Sequence, residues 1–331
     1  MSKFIVITSI NYPTKAVEEF NKIEDWNTLV VADLKTPIDW KLEGTKLLTV
    51  EEQKTSVLET AKLLPWNHYA RKNLGYLHAI EQSAELIYET DDDNLPYPIW
   101  EKSFPTGIAT DAETYDTGRK YVNVYSHFTE EHVWPRGLPL NEVINQEANV
   151  EVTQPITISR KNAPILQGLA DLEPDVDAIY RLTVGKQVTF NQKKPLFLKP
   201  GTYSPFNSQN TLWYPEAFAY LYLPGFLPSR VTDIWRSYIA QRFLHQKGQG
   251  MVFCNAGVYQ ERNLHNLMRD FEEEISLYTK TESLVTALDS YNDSYSGVIK
   301  YLFSKGFCTS DEVTLFDAWL HDLQSLGVIL P

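Results

Sequence analysis

The segment Ala84-Glu85-Leu86-Ile87-Tyr88-Glu89-Thr90-Asp91-Asp92-Asp93 joins a short apolar run to three consecutive carboxylates. A run of that length and polarity predicts a buried strand, and strands of open sheets deliver functional groups at their carboxyl ends. Adjacent carboxylates repel one another unless a proton or a hard cation sits among them. Mg²⁺ and Mn²⁺ take oxygen ligands and commonly bridge one or two carboxylates to a phosphate. The chemistry that best suits this arrangement is the handling of a nucleotide diphosphate.

Upstream, apolar runs at 4–10, 28–32 and 46–50 alternate with helical segments. Thr14 caps a first helix carrying Val17 and Phe20. Thr49 and Glu52 form a capping box for a helix reaching about residue 64, where Pro65 stops it. Asn67 is expected to cap the next helix, with Leu74, Leu77 and Ile80 on one side. Strands alternating with helices predict a parallel sheet covered on both faces. Right-handed crossovers then bring the strand carboxyl ends to one edge, where Thr8, Ser9, Asp33 and Asp91 to Asp93 line up. No glycine-rich loop follows the first strand, so neither the dinucleotide fingerprint nor the Walker loop is present. A metal on the aspartates is then the economical way to hold phosphates, and Asp33 is placed to accept hydrogen bonds from a ribose or base. Further along, 178–182 reads as a strand. Asp233 opens a helix with Ile234, Tyr238 and Phe243 inward, and 251–254 reads as the last sheet strand.

The chain has 331 residues, 43% hydrophobic and 22% charged, an ordinary globular composition. Its net charge of −13 disfavours nucleic acid as a partner, because duplex binders carry a basic excess. No window is long and apolar enough for a membrane span, and the first residues lack a cleavable signal. Two cysteines in this length predict reduced thiols and a cytoplasmic setting, and no pair has zinc-ligand spacing.

Several blocks carry a resemblance: 5–14 (IVITSINYPT), 30–37 (VVADLKTP), 69–76 (YARKNLGY), Asp91 to Asp93, and 133–140 (VWPRGLPL), in this order. Over roughly the first 265 residues the chain resembles the STELLO glycosyltransferase-like family of plants. A more distant similarity, through 136–139, 174–177 and 204–210, is to the UDP-arabinopyranose mutases. The resemblance implies a GT-A-type fold with a metal-binding DxD-like motif and a uridine diphosphate sugar as donor. Plant members carry a membrane anchor and sit in the Golgi, which is not carried over to this chain. The mutases place a second arginine seven positions after the one matched by Arg136. Here that position is Val143, which favours transfer to a separate acceptor over ring interconversion.

The expected fold is α/β: a GT-A-like, Rossmann-type mixed sheet flanked by helices, with a catalytic unit over 1–261 and a C-terminal helical extension over 262–331. Asp91 and Asp93 project to one side of an extended backbone and are the expected metal pair, with Asp92 beside them at the nucleotide. The ordinary alternative is a solvated acidic turn. Arg71 and Lys72 sit at a helix start, against the macrodipole, unless an anion lies close by; otherwise they are helix-surface charges. Arg136, in a loop stiffened by Trp134, Pro135, Gly137 and Pro139, would offset charge on the departing diphosphate, and is otherwise a loop arginine paired to a surface acid. Asp177, Asn207 and Asn210 are candidates for the sugar, each with an ordinary reading as a turn or loop residue. Asp233 is the first choice for a general base, and otherwise a helix-start acid. The family's fold often supplies a late histidine to the metal, which makes His265 a candidate, with a satisfied loop histidine the favoured ordinary reading. The cofactor is then Mn²⁺ or Mg²⁺, and the acceptor a glycan, protein, lipid-linked sugar or modified base. Stripes at Phe271, Ile275 and Tyr278, at Leu284, Leu288 and Tyr291, and at Phe316, Leu320 and Leu323 predict core packing, with homodimerisation the alternative. A mutase, a nucleotidyltransferase and a non-catalytic partner in polysaccharide synthesis are the rival functions.

Overall fold

The structure, a computed structural model, describes residues 2–106, 110–114, 118–145, 149, 154–261 and 266–331. Eleven strands among these residues build one mixed sheet. They are β1 (Lys3–Ser9), β2 (Trp26–Ala32), β3 (Lys46–Leu48), β4 (Leu86–Thr90), β5 (Asn94–Pro96), β6 (Thr110–Thr114), β7 (Gln154–Ile158), β8 (Ile165–Asp171), β9 (Leu196–Leu198), β10 (Asn210–Trp213) and β11 (Met251–Gln260). Their order is β3-β2-β1-β4-β10-β8-β11-β9-β6-β7, with β5 paired to β11. The helices are α1 (Lys15–Asn21), α2 (Val50–Lys54), α3 (Glu59–Leu63), α4 (Lys72–Glu81), α5 (Tyr125–Phe128), α6 (Leu140–Asn145), α7 (Ala178–Thr183), α8 (Ser229–Gln246), α9 (Leu267–Ser290), α10 (Val298–Ser304) and α11 (Ser310–Ser325).

Strands β1 to β4 pair in parallel, as the alternation requires. Strand β10 runs antiparallel to both β4 and β8, while β8 and β11 are parallel. The carboxyl ends of β1, β2, β4, β8 and β11 therefore share an edge with the amino end of β10. Both faces of the sheet are covered. Phe4, Val6, Leu29 and Val31 enter one core with the helices α4 and α8 to α11, and Ile5, Ile7 and Val30 enter the other. Gly75 lets α4 lie close on the sheet, because a Cβ there would meet Val6 Cγ1 at 2.5 Å and Val31 Cγ2 at 2.8 Å.

Four local expectations are corrected. The capping box at Thr49 and Glu52 forms, but its helix ends at Lys54 and α3 starts anew at Glu59. Thr55, Ser56 and Val57 explain the break, being β-branched or able to bond the backbone locally. Asn67 adopts φ +54° and turns the chain. His68 makes the cap instead, its Nδ1 accepting from the Ala70 N–H at 3.1 Å. Residues 178–182 are helix, not strand, because the Asp177 carboxylate accepts from the Tyr180 N–H at 2.8 Å and caps α7. Helix α8 begins at Ser229, so Asp233 lies one turn inside it.

The last helices belong to the main core. Leu284, Leu288, Phe316, Leu320 and Leu323 are buried in it, as expected. The first stripe of α9 is turned: Ile275 is exposed, and Asp270, Glu274, Leu277 and Thr281 face inward. Glu274 draws that face in, accepting from Arg230 Nε and the Ala178 N–H, each at 2.7 Å. Buried Glu312 accepts from the Phe226 N–H at 2.8 Å, the Gly225 N–H at 3.2 Å and the Tyr222 hydroxyl. Glu312→Ala would leave all three donors unpaired and should cost about 2 kcal/mol, read as a lowered urea midpoint at unchanged slope. Among the described residues no helix is long and apolar enough to cross a membrane.

Candidate active site

A cleft of about 710 Å³ opens on the shared strand edge. Of the predicted residues, it gathers Thr8, Ser9, Asp33, Arg71, Asp91, Asp92, Asp93, Arg136, Asn207 and Asp233.

Each carboxylate of the triplet is anchored by a different element. Asp91 Oδ1 accepts from the Tyr69 hydroxyl at 2.9 Å and Lys72 Nζ at 3.0 Å. Asp92 Oδ2 accepts from Ser9 Oγ at 2.5 Å and Asn11 Nδ2 at 3.1 Å, at the end of β1. Asp93 Oδ2 accepts from Gln260 Nε2 at 2.9 Å, at the end of β11. Asp93 Oδ1 is buried with no hydrogen-bond partner. Burial, with the Asp91 charge adding to it, pushes the Asp93 pKa up to about 6, and burial also raises that of Asp92.

Among the described residues no group of three or more His, Cys, Asp or Glu side chains converges to hold a metal ion by itself. The donors therefore do not make a closed, protein-only site of the zinc type. They fit a magnesium- or manganese-like ion, which takes one or two carboxylates and completes its shell with water and substrate phosphates. The unpartnered Asp93 Oδ1 is the oxygen such an ion would satisfy. His265 lies outside the described residues.

The cations divide into used and unused. Lys72 is fully buried and turned away from the cleft onto Asp91, which corrects its reading as a nucleotide contact. Arg71 is also buried, donating from Nε to Gln53 Oε1 at 2.7 Å and from Nη1 to Leu64 O at 3.0 Å. Its guanidinium lies 3.5 Å over the Trp66 ring, and Nη2 has no partner. Burial lowers its pKa to about 10, so it stays charged at neutral pH. Asp33 accepts from three backbone N–H groups, of Leu34 and Asn67 at Oδ1 and His68 at Oδ2, and so braces the loop that presents Arg71.

Arg136 is saturated. It donates from Nε and Nη2 to Asp175 at 2.7 and 2.9 Å, from Nη1 and Nη2 to Asp233 at 3.2 and 3.0 Å, and from Nη1 to Arg230 O. All five N–H groups are thereby used, leaving none for a diphosphate. This corrects the expected role of Arg136, which instead fixes two carboxylates at the cleft. Gly137 beside it takes φ +86°, where a Cβ would strike Ile234 Cγ2 at 2.3 Å. The Arg136 charge holds the Asp233 pKa below the usual carboxylate range despite burial. Asp233 Oδ2 also accepts from Ser208 Oγ at 3.2 Å. Asn207 lines the cleft, and its Oδ1 accepts from Gln209 N at 3.0 Å and Gln167 Nε2 at 3.2 Å.

Two further candidates are structural. Asp177 is fully buried and caps α7, taking Trp134 Nε1 at 2.7 Å on its other oxygen. Asn210, fully buried in β10, bonds Leu169 O and the Tyr88 hydroxyl, each at 2.8 Å. Neither lines the cleft. The sequence reading missed Tyr69, Ser208 and Gln260, and the cleft arginines Arg181, Arg230 and Arg269. Tyr69 was visible inside a quoted block. Gln260 becomes meaningful only when β11 is seen to extend six residues past Cys254.

Residues 230–331 match the family model of the STELLO glycosyltransferases. The chain is 30% identical, over 362 aligned positions, to probable glycosyltransferase STELLO1 of Arabidopsis thaliana, covering 99% of this chain and 45% of that protein. It is 29% identical over 352 positions to probable glycosyltransferase STELLO2 of the same plant, with the same coverages. The chain thus spans just under half the length of the curated relatives it matches. Among solved structures, it is similar to M. tuberculosis glucosyl-3-phosphoglycerate synthase, with TM-score 0.41, 10% identity, and coverage of 88% of this chain and 82% of that one. The family match lies on the last hundred residues, so the helical region expected to fall outside the resemblance is inside it. The chain is STELLO-like: residues 230–331 match the family model of the STELLO glycosyltransferases, and nearly its whole length is similar to their Arabidopsis members.

Proposed function

We propose that this chain is a metal-dependent glycosyltransferase, moving a sugar from a nucleotide diphosphate donor, a UDP-sugar, to an acceptor hydroxyl. The observation that carries the reading is the convergence of the aspartate triplet, with its unpartnered Asp93 oxygen, and the unpartnered Arg71 nitrogen on one cleft. Asp91 and Asp93 would hold Mn²⁺ or Mg²⁺, which supplies positive charge against the departing diphosphate. Arg71 takes the part first given to Arg136, offering a preorganised donor beside the nucleotide. Thr8 and Ser9 close the nucleotide wall from β1. In the same cleft Arg136 fixes Asp233 and Asp175 where an acceptor would lie. Should transfer invert the anomeric carbon, Asp233 receives the hydroxyl proton as the new C–O bond forms and the C–O bond to diphosphate breaks. Its lowered pKa makes it a weak base, so its contribution comes from position. Catalysis is assigned to residues 1–261, with the first turn of α9 completing the acceptor wall through Asn266 and Arg269.

Thermal unfolding against a panel of nucleotide sugars, with Mn²⁺ and with chelator, tests the reading. A ligand at a hundred times its Kd adds about 2.7 kcal/mol, so a metal-dependent rise with UDP-sugars is expected. No rise with any donor would reject a donor site. Release of uridine diphosphate with every acceptor absent would indicate the mutase or hydrolysis. That outcome is disfavoured because Val143 is packed against the core and supplies no second cation.

A further inference from the structure

Lys72 has no surface exposure and lies behind the triplet. Its ammonium has acceptors at Tyr69 Oη (2.6 Å), Thr90 O (2.7 Å) and Asp91 Oδ1 (3.0 Å). An ammonium carries three protons, so each is committed. A cation in that state is not poised to grip a phosphate. It is also the ion pair that the Asp91 side chain, about a third exposed, makes with the interior. A lysine stem threaded through the core to reach a cleft carboxylate is costly to maintain for stability alone, since buried ion pairs rarely gain over apolar packing.

Building on the proposed donor site, we infer that Lys72 is a positioning residue that serves as a resident counter-cation, making divalent-ion binding contingent on the nucleotide diphosphate. Three carboxylates alone would attract a divalent ion strongly and without regard to substrate. With Lys72 bonded to Asp91, one of the three negative charges is offset, and an ion approaching Asp91 meets a like charge across the same carboxylate. Asp92 and Asp93 each have one oxygen engaged by neutral donors, Ser9, Asn11 and Gln260. The remaining protein attraction is therefore modest, and diphosphate oxygens supply what is missing. By linkage, the ion and the nucleotide strengthen each other equally. An active site built this way stays free of stray cations between turnovers and admits the ion with its substrate.

Calorimetric titration of Mn²⁺ into the full chain, with and without saturating UDP, reads the coupling directly. Wild-type protein should bind Mn²⁺ at least about thirtyfold more tightly with UDP present. Lys72→Met should bind Mn²⁺ alone at least about tenfold more tightly than wild type and show a correspondingly smaller UDP effect. Lys72→Gln serves the same reading if the methionine variant folds poorly, and the wild-type coupling stands as a test by itself. Equal Mn²⁺ affinity of wild type with and without UDP would overturn the inference. So would an unchanged or weaker affinity for Mn²⁺ alone in the neutral variants. If wild type binds neither Mn²⁺ nor UDP in any combination, the donor-site reading fails and takes this inference with it.

Discussion

Asp93→Asn should make the protein more stable and at the same time useless as a donor-binding site. In the ligand-free fold the Asp93 carboxylate is pushed up to about 6 from 3.8 by burial, with the Asp91 and Asp92 charges adding to it. An acid whose folded pKa is raised costs stability above that pKa and returns it as pH falls through the window from about 6 to about 4. At pH 7 the cost is up to about 3 kcal/mol, and a neutral amide of the same shape removes it. The asparagine carbonyl can take the place of Oδ2 and keep the bond from Gln260 Nε2 at 2.9 Å, with Gln260 Oε1 still accepting from Gln209. The same change deletes the anionic oxygen that has no partner in the fold. Metal-dependent stabilisation by a UDP-sugar should disappear, and sugar transfer should fall by about 10²–10³-fold or more. Melting in chelator, melting with Mn²⁺ and donor, and turnover together check this. A variant less stable than wild type in chelator would show that Asp93 is there to hold the fold.

Glu89→Ala should cost about 3–5 kcal/mol, the largest stability loss expected of a single change in the sheet. Glu89 is fully buried in β4, two residues before the triplet. It accepts from Arg236 Nη2 at 2.7 Å, Arg236 Nη1 at 2.9 Å, Trp213 Nε1 at 2.9 Å and the Tyr76 hydroxyl. Truncation strands a buried guanidinium that also lies 5.0 Å from the Trp213 ring. The melting temperature should fall by about 4–7 °C. Replacing both partners, Glu89→Leu with Arg236→Leu, should recover the part of the loss due to the stranded guanidinium, while the Trp213 Nε1 and Tyr76 hydroxyl donors stay unpaired. Scanning calorimetry of the two single variants and the pair measures the coupling. A loss under about 1 kcal/mol in Glu89→Ala would mean that Arg236 reaches water.

The parallel half of the sheet was readable because its signals are local. Apolar runs, the Thr14 cap and the Thr49–Glu52 box each depend on residues a few positions apart. The triplet was readable for the same reason, since a strand period carries it to the edge. What could not be read was pairing between distant residues. Lys72 and Arg136 look alike on paper to any exposed cation, and only the fold reveals that Asp91, Asp175 and Asp233 consume them. Asp177 and Asn210 look like polar loop residues and are swallowed by a helix cap and a strand. Residues 178–182 are too short an apolar run for periodicity to tell strand from helix. The first stripe of α9 failed because a buried glutamate, Glu274, outranks Ile275 for the inward face through its bonds to Arg230 and Ala178.

The cap on α3 has a bearing on how the chain comes into being. The N–H groups of Glu59 and Thr60 are met by the carboxylate of Asp322, 263 and 262 positions away. Just beyond α3, Gly225 packs so closely that an added Cβ would meet Leu315 Cδ2 at 2.5 Å and Pro65 Cδ at 3.2 Å. At about 5–20 residues per second of synthesis, roughly 10–50 s separate the making of α3 from the making of the helix that fastens it. The start of α3 thus waits for a carboxylate made long after it, and its two N–H groups stay uncapped through that interval.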